Sequence, residues 1–172
     1  MPYLYTQAVH STRMGWPLSL RATALEFPHD PTAWAACDRQ FFVGENLLVA
    51  PVFTEHGDVE FYLPEGQWTS LWDEKKVVSG PGWRREKHGF GTLPIYVREG
   101  AVIVMGKEQG EGGFAYDWCE APEVRLYQTK QGDCATVVDA SGKEVGTLTV
   151  QDDGSLKGLE CFRGDVTVRR IE

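Results

Sequence analysis

Acidic side chains offer the first chemistry to consider in this sequence, because a fixed pair of carboxyl groups can act as general acid and general base. Of the 25 acids, most lie in turn-forming segments or alternate along strand-like runs. Asp152-Asp153 is typical of a solvated turn. Glu26 and Asp38 lie near a predicted junction, but Arg21 and Arg39 close by favour structural ion pairs. The residues themselves therefore predict no catalytic pair.

Other reactive side chains show no recognised spacing. The histidines, at 10, 29, 56 and 88, do not lie two to four residues from another histidine or cysteine, as metal ligands often do. The sequence has no GxSxG elbow and no glycine-rich phosphate loop. We predict no metal site, no cofactor site and no catalytic residue in this chain.

Four cysteines, Cys37, Cys119, Cys134 and Cys161, form no CxxC pair. This spacing disfavours a zinc site and a disulfide framework, so we predict buried, reduced thiols. The first ten residues have neither a basic region nor an apolar run, so no signal peptide is predicted and an intracellular location is favoured.

Six tryptophans contribute to an aromatic content of 12%. An exposed indole can stack on the C–H face of a pyranose ring, whereas a buried one fills the core of a small β-domain. We predict core or interdomain packing for most of the six, and sugar stacking stays open for the rest. They are Trp16, Trp34, Trp68, Trp72, Trp83 and Trp118.

The charge balance narrows the classes of partner. The 172 residues carry a formal net charge of −8 and no long basic run, which disfavours nucleic acid and anionic membranes. No apolar run approaches the roughly 18 residues of a membrane-spanning helix. The length suits one ordinary domain or two small ones, and neutral partners such as sugars or proteins remain open.

Two elements are predicted near the start of the chain. Residues 3–14 have a helical spacing of apolar side chains that ends at Gly15 and Pro17, but they lack an N-terminal capping residue. Residues 18–27 are mostly apolar and predict a strand buried on both faces, as in a parallel sheet. A helix followed by such a strand is typical of a β/α unit.

The remainder reads as mainly β. Short β-rich runs separated by glycine, proline, asparagine and aspartate predict antiparallel sandwiches, with hairpin-like breaks such as residues 55–58 and 64–66. The polar, glycine-rich residues 107–113 are the best candidate for a linker between two β units. Predicted strands lie at 46–53, 59–63, 68–71, 92–97 and 101–105, and then at 124–128, 135–138, 144–150, 156–162 and 166–171.

Motifs through residue 106 resemble glycoside hydrolase family 31, at the end of its catalytic barrel and in its proximal β-domain, and residues after 116 resemble its distal β-domain. The α-xylosidase-like branch of the family, rather than its maltase-like members, is resembled by the sequence at residues 15–22, 59–64 and 85–100. Matching positions are residues 2–5, Gly15, Pro17, Arg21, residues 25–28, Asp30, Asp38, Gln40, Phe41, Gly44, residues 47–52, 61–72, 93–106 and 124–127.

The resemblance implies a mainly β chain with two small antiparallel β-sandwich domains, preceded by a helix and a strand left over from a (β/α)8 barrel. Residues 1–35 would be the end of the barrel, 36–106 the proximal domain and 107–172 the distal domain. The family consists of retaining α-glycosidases, and no residue here matches its nucleophile or acid/base segments. The expected function is the C-terminal part of such an enzyme, lacking the catalytic carboxylates and inactive alone.

Two further expectations follow. An oligosaccharide would be bound only through the missing barrel, without a cofactor, and a bare edge at residues 18–27 would favour self-association. The alternative function is a stand-alone carbohydrate-binding β-sandwich that uses exposed tryptophans. A structural or interaction domain with no sugar role also remains open.

Overall fold

The computed structural model describes residues 1–106 and 117–172, and the predicted linker at 107–113 lies outside them. The described part is mainly β, as predicted, and none of its helices is long and apolar enough to span a membrane. Its helices are α1 (Pro2–Met14), α2 (Thr23–Glu26) and α3 (Pro31–Ala35), with a 3-10 helix at Leu159–Cys161. Its strands are β1 (Arg21–Ala22), β2 (Phe41–Val43), β3 (Leu47–Val49), β4 (Asp58–Ser70), β5 (Val77–Lys87), β6 (Ile95–Arg98), β7 (Ala101–Met105), β8 (Glu123–Tyr127), β9 (Cys134–Val138), β10 (Glu144–Val150), β11 (Leu156–Lys157) and β12 (Thr167–Ile171).

The chain forms two compact units. One comprises Pro17–Glu99, and the other comprises Met1–Trp16 together with Gly100–Glu172. These limits do not follow the division at residues 35 and 106, since α1 belongs to the same unit as the strands after Gly100. As a statement about family domains, the division into 1–35, 36–106 and 107–172 stays a prediction.

Pro17–Glu99 is built on a six-stranded sheet with the order β1-β2-β3-β6-β4-β5, paired antiparallel throughout. The long hairpin of β4 and β5 dominates it. The predicted break at 64–66 is wrong, because β4 continues through these residues with an irregularity in register between Leu63 and Gly66. Gly80 of β5 pairs with Gly66 at this irregularity, where β4 and β5 approach each other closely. No side chain would fit at Gly80, since a Cβ there would lie 1.8 Å from the Pro64 carbonyl oxygen.

The predicted strand at residues 18–27 is also wrong. Only Arg21 and Ala22 pair as a strand, antiparallel to β2 at the edge of the sheet, and α2 begins at Thr23. Leu18 is buried, but Leu20 and Leu25 are exposed. The apolar composition of these residues predicted a strand. In the structure, the helical turn α2 instead places Glu26 beside the buried Arg21 side chain, and the two form an ion pair.

The core of this unit lies on one side of the central strands. Its large buried side chains are Phe42, Leu48, Phe61, Leu63, Trp68 and Tyr96. The buried Gln40 amide continues the pairing of the sheet, because it donates to the Tyr62 carbonyl at 2.7 Å and accepts from the Tyr62 N–H at 2.6 Å. A buried amide is satisfied in this way only when its partner strand is fixed.

Met1–Trp16 and Gly100–Glu172 combine α1 with two three-stranded sheets, β11-β10-β9 and β12-β8-β7. The predicted helix is confirmed, and no side chain caps its start at Met1. It ends at Gly15, whose φ of 67° is a conformation that favours glycine. Tyr5 of α1 packs against Trp118, with ring centroids 5.3 Å apart, so the helix joins the core of this unit.

Candidate functional site

Glu26 and Asp38, the two acids that the sequence singled out, both form ion pairs with arginine. Glu26 Oε2 lies 2.5 Å from Arg21 Nη2, and its Oε1 lies 2.7 Å from Arg98 Nη1. Asp38 is exposed and pairs with Arg39, whose hydrogen bond lowers the pKa of this carboxyl. Glu26 and Asp38 therefore act as counter-ions, as the sequence predicted.

Asp152 and Asp153 lie in the turn between β10 and β11. Asp153 Oδ1 accepts the Ser155 N–H at 2.7 Å, and Asp152 Oδ1 accepts the Asp153 N–H at 2.8 Å. Hydrogen bonding from Ser155 lowers the pKa of Asp153. Both carboxylates stabilise a solvent-exposed turn, which confirms the interpretation made from the sequence.

The tryptophans divide by burial. Trp68 and Trp118 are buried in the cores of the two units, whereas the other four, Trp16, Trp34, Trp72 and Trp83, are exposed. Trp34 and Trp72 donate their indole N–H groups to the carbonyls of Pro28 and Leu93. Core packing is therefore confirmed for Trp68 and Trp118 and is wrong for the other four, for which interdomain packing stays a prediction.

Cysteine and histidine form no ligand cluster. The four cysteines are free thiols, and burial raises the pKa of Cys119 and of Cys161. Cys134 is exposed. In residues 1–106 and 117–172, no three His, Cys, Asp or Glu side chains are grouped so that they could hold a metal ion.

A polar cluster that the sequence did not reveal surrounds the half-buried Glu86 on β5. Its Oε1 accepts hydrogen bonds of 2.5 Å from both Lys76 Nζ and the Tyr96 hydroxyl, and its Oε2 lies 2.9 Å from His88 Nε2. His88 Nδ1 in turn lies 3.0 Å from Thr92 Oγ1. We call these five residues the Glu86 cluster. Their positions, spread from 76 to 96, carry no sequence signal, because only the strand pairing brings them together.

The cluster shifts the ionisation of its members. Burial by itself would raise the pKa of Glu86, but hydrogen bonds from Lys76, Tyr96 and His88 outweigh it and leave that pKa below the ordinary value. Burial, together with the hydrogen bond to Glu86, raises the pKa of Tyr96 to about 12. The cluster thus holds an ionised carboxylate beneath a neutral phenol at pH 7.

We expect Glu86→Gln to lower the free energy of unfolding by about 2 kcal/mol at pH 7, because it removes charge-assisted hydrogen bonds from a half-buried site. The pKa of Glu86 is lower in the folded chain, so its stabilisation is fully present above the ordinary value of 4.5 and is lost as the pH falls through the folded value. Urea unfolding between pH 7 and pH 3 checks this.

The difference between wild type and Glu86→Gln should therefore shrink as the pH falls below 4.5. Glu65→Gln is the control, since Glu65 is an exposed acid on the neighbouring strand β4. A difference that stays constant down to pH 3 would show that Glu86 stabilises the fold by packing alone.

A cleft of about 460 Å³ adjoins the Glu86 cluster. Residues 51, 52 and 54–57 line one side of it and residues 88–90, 92 and 93 line the other, so His88 and Thr92 of the cluster also face it. Glu55, His56 and Phe90 are exposed on its rim. Polar side chains, hydrogen-bonded backbone and an exposed aromatic ring therefore coincide at this cleft.

Comparisons with known proteins place these observations in a family. The model of the glycosyl hydrolase family 31 C-terminal domain matches residues 15–103, just over half of the chain. An α-xylosidase of Lactiplantibacillus pentosus is 35% identical over 156 residues, and an α-xylosidase of Emericella nidulans is 45% identical over 108 residues. These alignments cover 88% and 59% of this chain, but only 20% and 14% of the two relatives.

Two solved structures are also similar to this chain over most of its length. A family 31 dextranase of Flavobacterium johnsoniae, complexed with isomaltotriose, superposes with a TM-score of 0.74 at 25% identity, over 90% of this chain and 20% of its own. A cycloalternan-forming enzyme of Listeria monocytogenes superposes with a TM-score of 0.73 at 28% identity, over 88% of this chain and 15% of its own. This chain spans about one fifth or less of the length of these proteins, and it belongs to glycoside hydrolase family 31 as a homologue of the family's C-terminal domain.

Proposed function

We propose that this chain serves as the C-terminal part of a retaining α-glycosidase of the α-xylosidase type and does not hydrolyse glycosides by itself. The observation that carries the proposal is the match of residues 15–103 to the C-terminal domain of the family, together with the similarity to two α-xylosidases. Neutral oligosaccharides would be the substrates of the complete enzyme, and the reaction needs no cofactor.

The reason for inactivity is the requirement for two carboxyl groups. Retaining hydrolysis needs them about 5–5.5 Å apart, one as nucleophile and one as acid/base, on either side of the scissile bond. In the described residues, Glu26 and Glu86 are held by arginine or by lysine, tyrosine and histidine, so neither is free to attack a sugar. The catalytic pair would come from a barrel domain outside these 172 residues.

We expect the purified chain to release no nitrophenol from p-nitrophenyl α-xyloside or α-glucoside above the blank. A chimera gives the positive arm: this chain replaces the matched 156 residues of the L. pentosus α-xylosidase. Its turnover is compared with that of a variant lacking the segment. An active chimera beside an inactive deletion supports the role, whereas turnover by the isolated chain would overturn it.

Self-association stays a prediction, but the exposed surface that would cause it differs from the one expected from the sequence. Leu20 and Leu25 are exposed singly near the edge strand β1, rather than as one long bare strand. Exclusion of nucleic acid and of anionic membranes rests, as before, on the net charge of −8.

A further inference from the structure

We propose that the cleft beside the Glu86 cluster is a binding site for a neutral glycosyl unit, with Phe90 as its stacking platform. We call it the Phe90 cleft; it is lined by residues 51, 52 and 54–57 on one side and by residues 88–90, 92 and 93 on the other. The choice of gluco- and xylo-configured ligands rests on the proposed function. The existence of the site rests on the exposed Phe90 ring and on the polar groups and backbone hydrogen bonds of the cleft.

Phe90 is the first of these observations. Its ring is fully exposed to solvent. Gly89 and Gly91 flank it, and apart from their chain neighbours no atom comes within 4 Å of where their Cβ atoms would be. The full exposure of the ring leaves its faces open, and an open aromatic face beside a cleft suits the C–H face of a pyranose.

The walls supply hydrogen-bonding groups for hydroxyls. Within the described part of the chain, the side chains of Glu55 and His56 make no hydrogen bond or ion pair, so they are available to a ligand. Thr54 donates its hydroxyl to the Asp58 carbonyl at 2.6 Å, which leaves its oxygen free to accept. A mixture of acceptors and donors around an apolar surface is what a sugar, with its many hydroxyls, requires.

The floor of the Phe90 cleft is fixed before any ligand arrives. The Gly57 N–H donates to the Thr54 carbonyl, and the Gly57 carbonyl accepts the His88 N–H at 2.9 Å. A Cβ on Gly57 would lie 2.0 Å from the His88 carbonyl oxygen, so this approach of the two walls needs glycine. The Glu86 cluster holds the His88 ring from below. Preorganised walls reduce the entropy cost of binding.

Charge and size select among ligands. Neither lysine nor arginine lines the cleft, and Glu55 adds a negative charge, so an anionic ligand is disfavoured. No cluster that could hold a metal ion exists among the described residues. A volume of about 460 Å³ lies within the range of small-molecule sites. A neutral glycosyl unit fits these limits.

The test is calorimetric titration of the full chain with isomaltotriose and with methyl α-D-xyloside, and with glucuronate as the charged comparison. We expect saturable binding of at least one neutral sugar and weaker binding of glucuronate. Phe90→Ala should weaken binding about five- to tenfold, whereas Phe90→Trp should retain it. Thermal unfolding of Phe90→Ala should match wild type, because the exposed ring packs against nothing that the change removes.

Phe53→Ala is the matched control, since Phe53 is an exposed phenylalanine of the same unit whose side chain does not line the cleft. It should bind as wild type does. Absence of saturable binding by every sugar, or equal affinity of Phe90→Ala and wild type, overturns the proposal. Neither result bears on turnover, and turnover by the isolated chain would overturn the proposed function while leaving the cleft intact.

Discussion

Replacing Glu26 by glutamine should lower the free energy of unfolding by about 3–5 kcal/mol, because it removes the counter-ion of a buried arginine. The Arg21 side chain is 2% exposed, and its Nη2 lies 2.5 Å from Glu26 Oε2. Within the described residues, Arg21 Nε and Nη1 have no hydrogen-bond partner, so Glu26 is the main compensation for this charge. The Phe42 ring, 5.6 Å from the guanidinium carbon, adds a weaker cation–π contact.

Asp38→Asn is the matched control for Glu26→Gln. It also removes an acid paired with an arginine, but the Asp38 side chain is 68% exposed, so we expect a much smaller loss than for Glu26→Gln. The double variant Arg21→Met with Glu26→Gln should recover part of the loss, because it removes the stranded charge. Chemical unfolding of the four proteins measures these differences. Equal losses for Glu26→Gln and Asp38→Asn would mean that the Arg21 charge is compensated by something else.

Replacing Trp68 by alanine should cost about 3–5 kcal/mol of unfolding free energy, because it opens a cavity in the core of the six-stranded sheet. Trp68 is fully buried, and its ring lies 6.0 Å from that of Phe42. Its indole N–H donates to the Pro64 carbonyl at 2.8 Å, across the irregular part of β4. The substitution therefore removes both packing and the hydrogen bond of a buried carbonyl.

Trp34→Ala serves as the control for the same change at an exposed indole, and we expect it to cost about 1 kcal/mol or less. Trp68→Phe should fall between the two, since it keeps a ring in the core but loses the bond to Pro64. Urea denaturation, followed by far-ultraviolet circular dichroism, reports all three without depending on tryptophan fluorescence. A loss for Trp68→Ala as small as that for Trp34→Ala would contradict the assigned core.

Local patterns predicted the regular parts of this protein well. The helix of residues 3–14 and most strands after residue 100 lie within a few residues of their predicted places, because turn residues bracket them. β5 was not predicted, since Val77–Lys87 contains two glycines, a proline and four charged side chains. Its partner β4 supplies the hydrogen bonds that hold it as a strand, a tertiary effect that local propensity does not contain.

The amino-acid order alone determined the mainly β class, the family and the structural role of Glu26, since these follow from turn spacing, motif wording and the nearness of arginine. Only the tertiary structure decided that residues 18–27 are not a strand, that Glu86 gathers Lys76, Tyr96 and His88, and that Phe90 stands open beside a cleft. The physical reason is strand pairing. It brings together side chains twenty or more residues apart in the chain, and no local pattern encodes the distance between them.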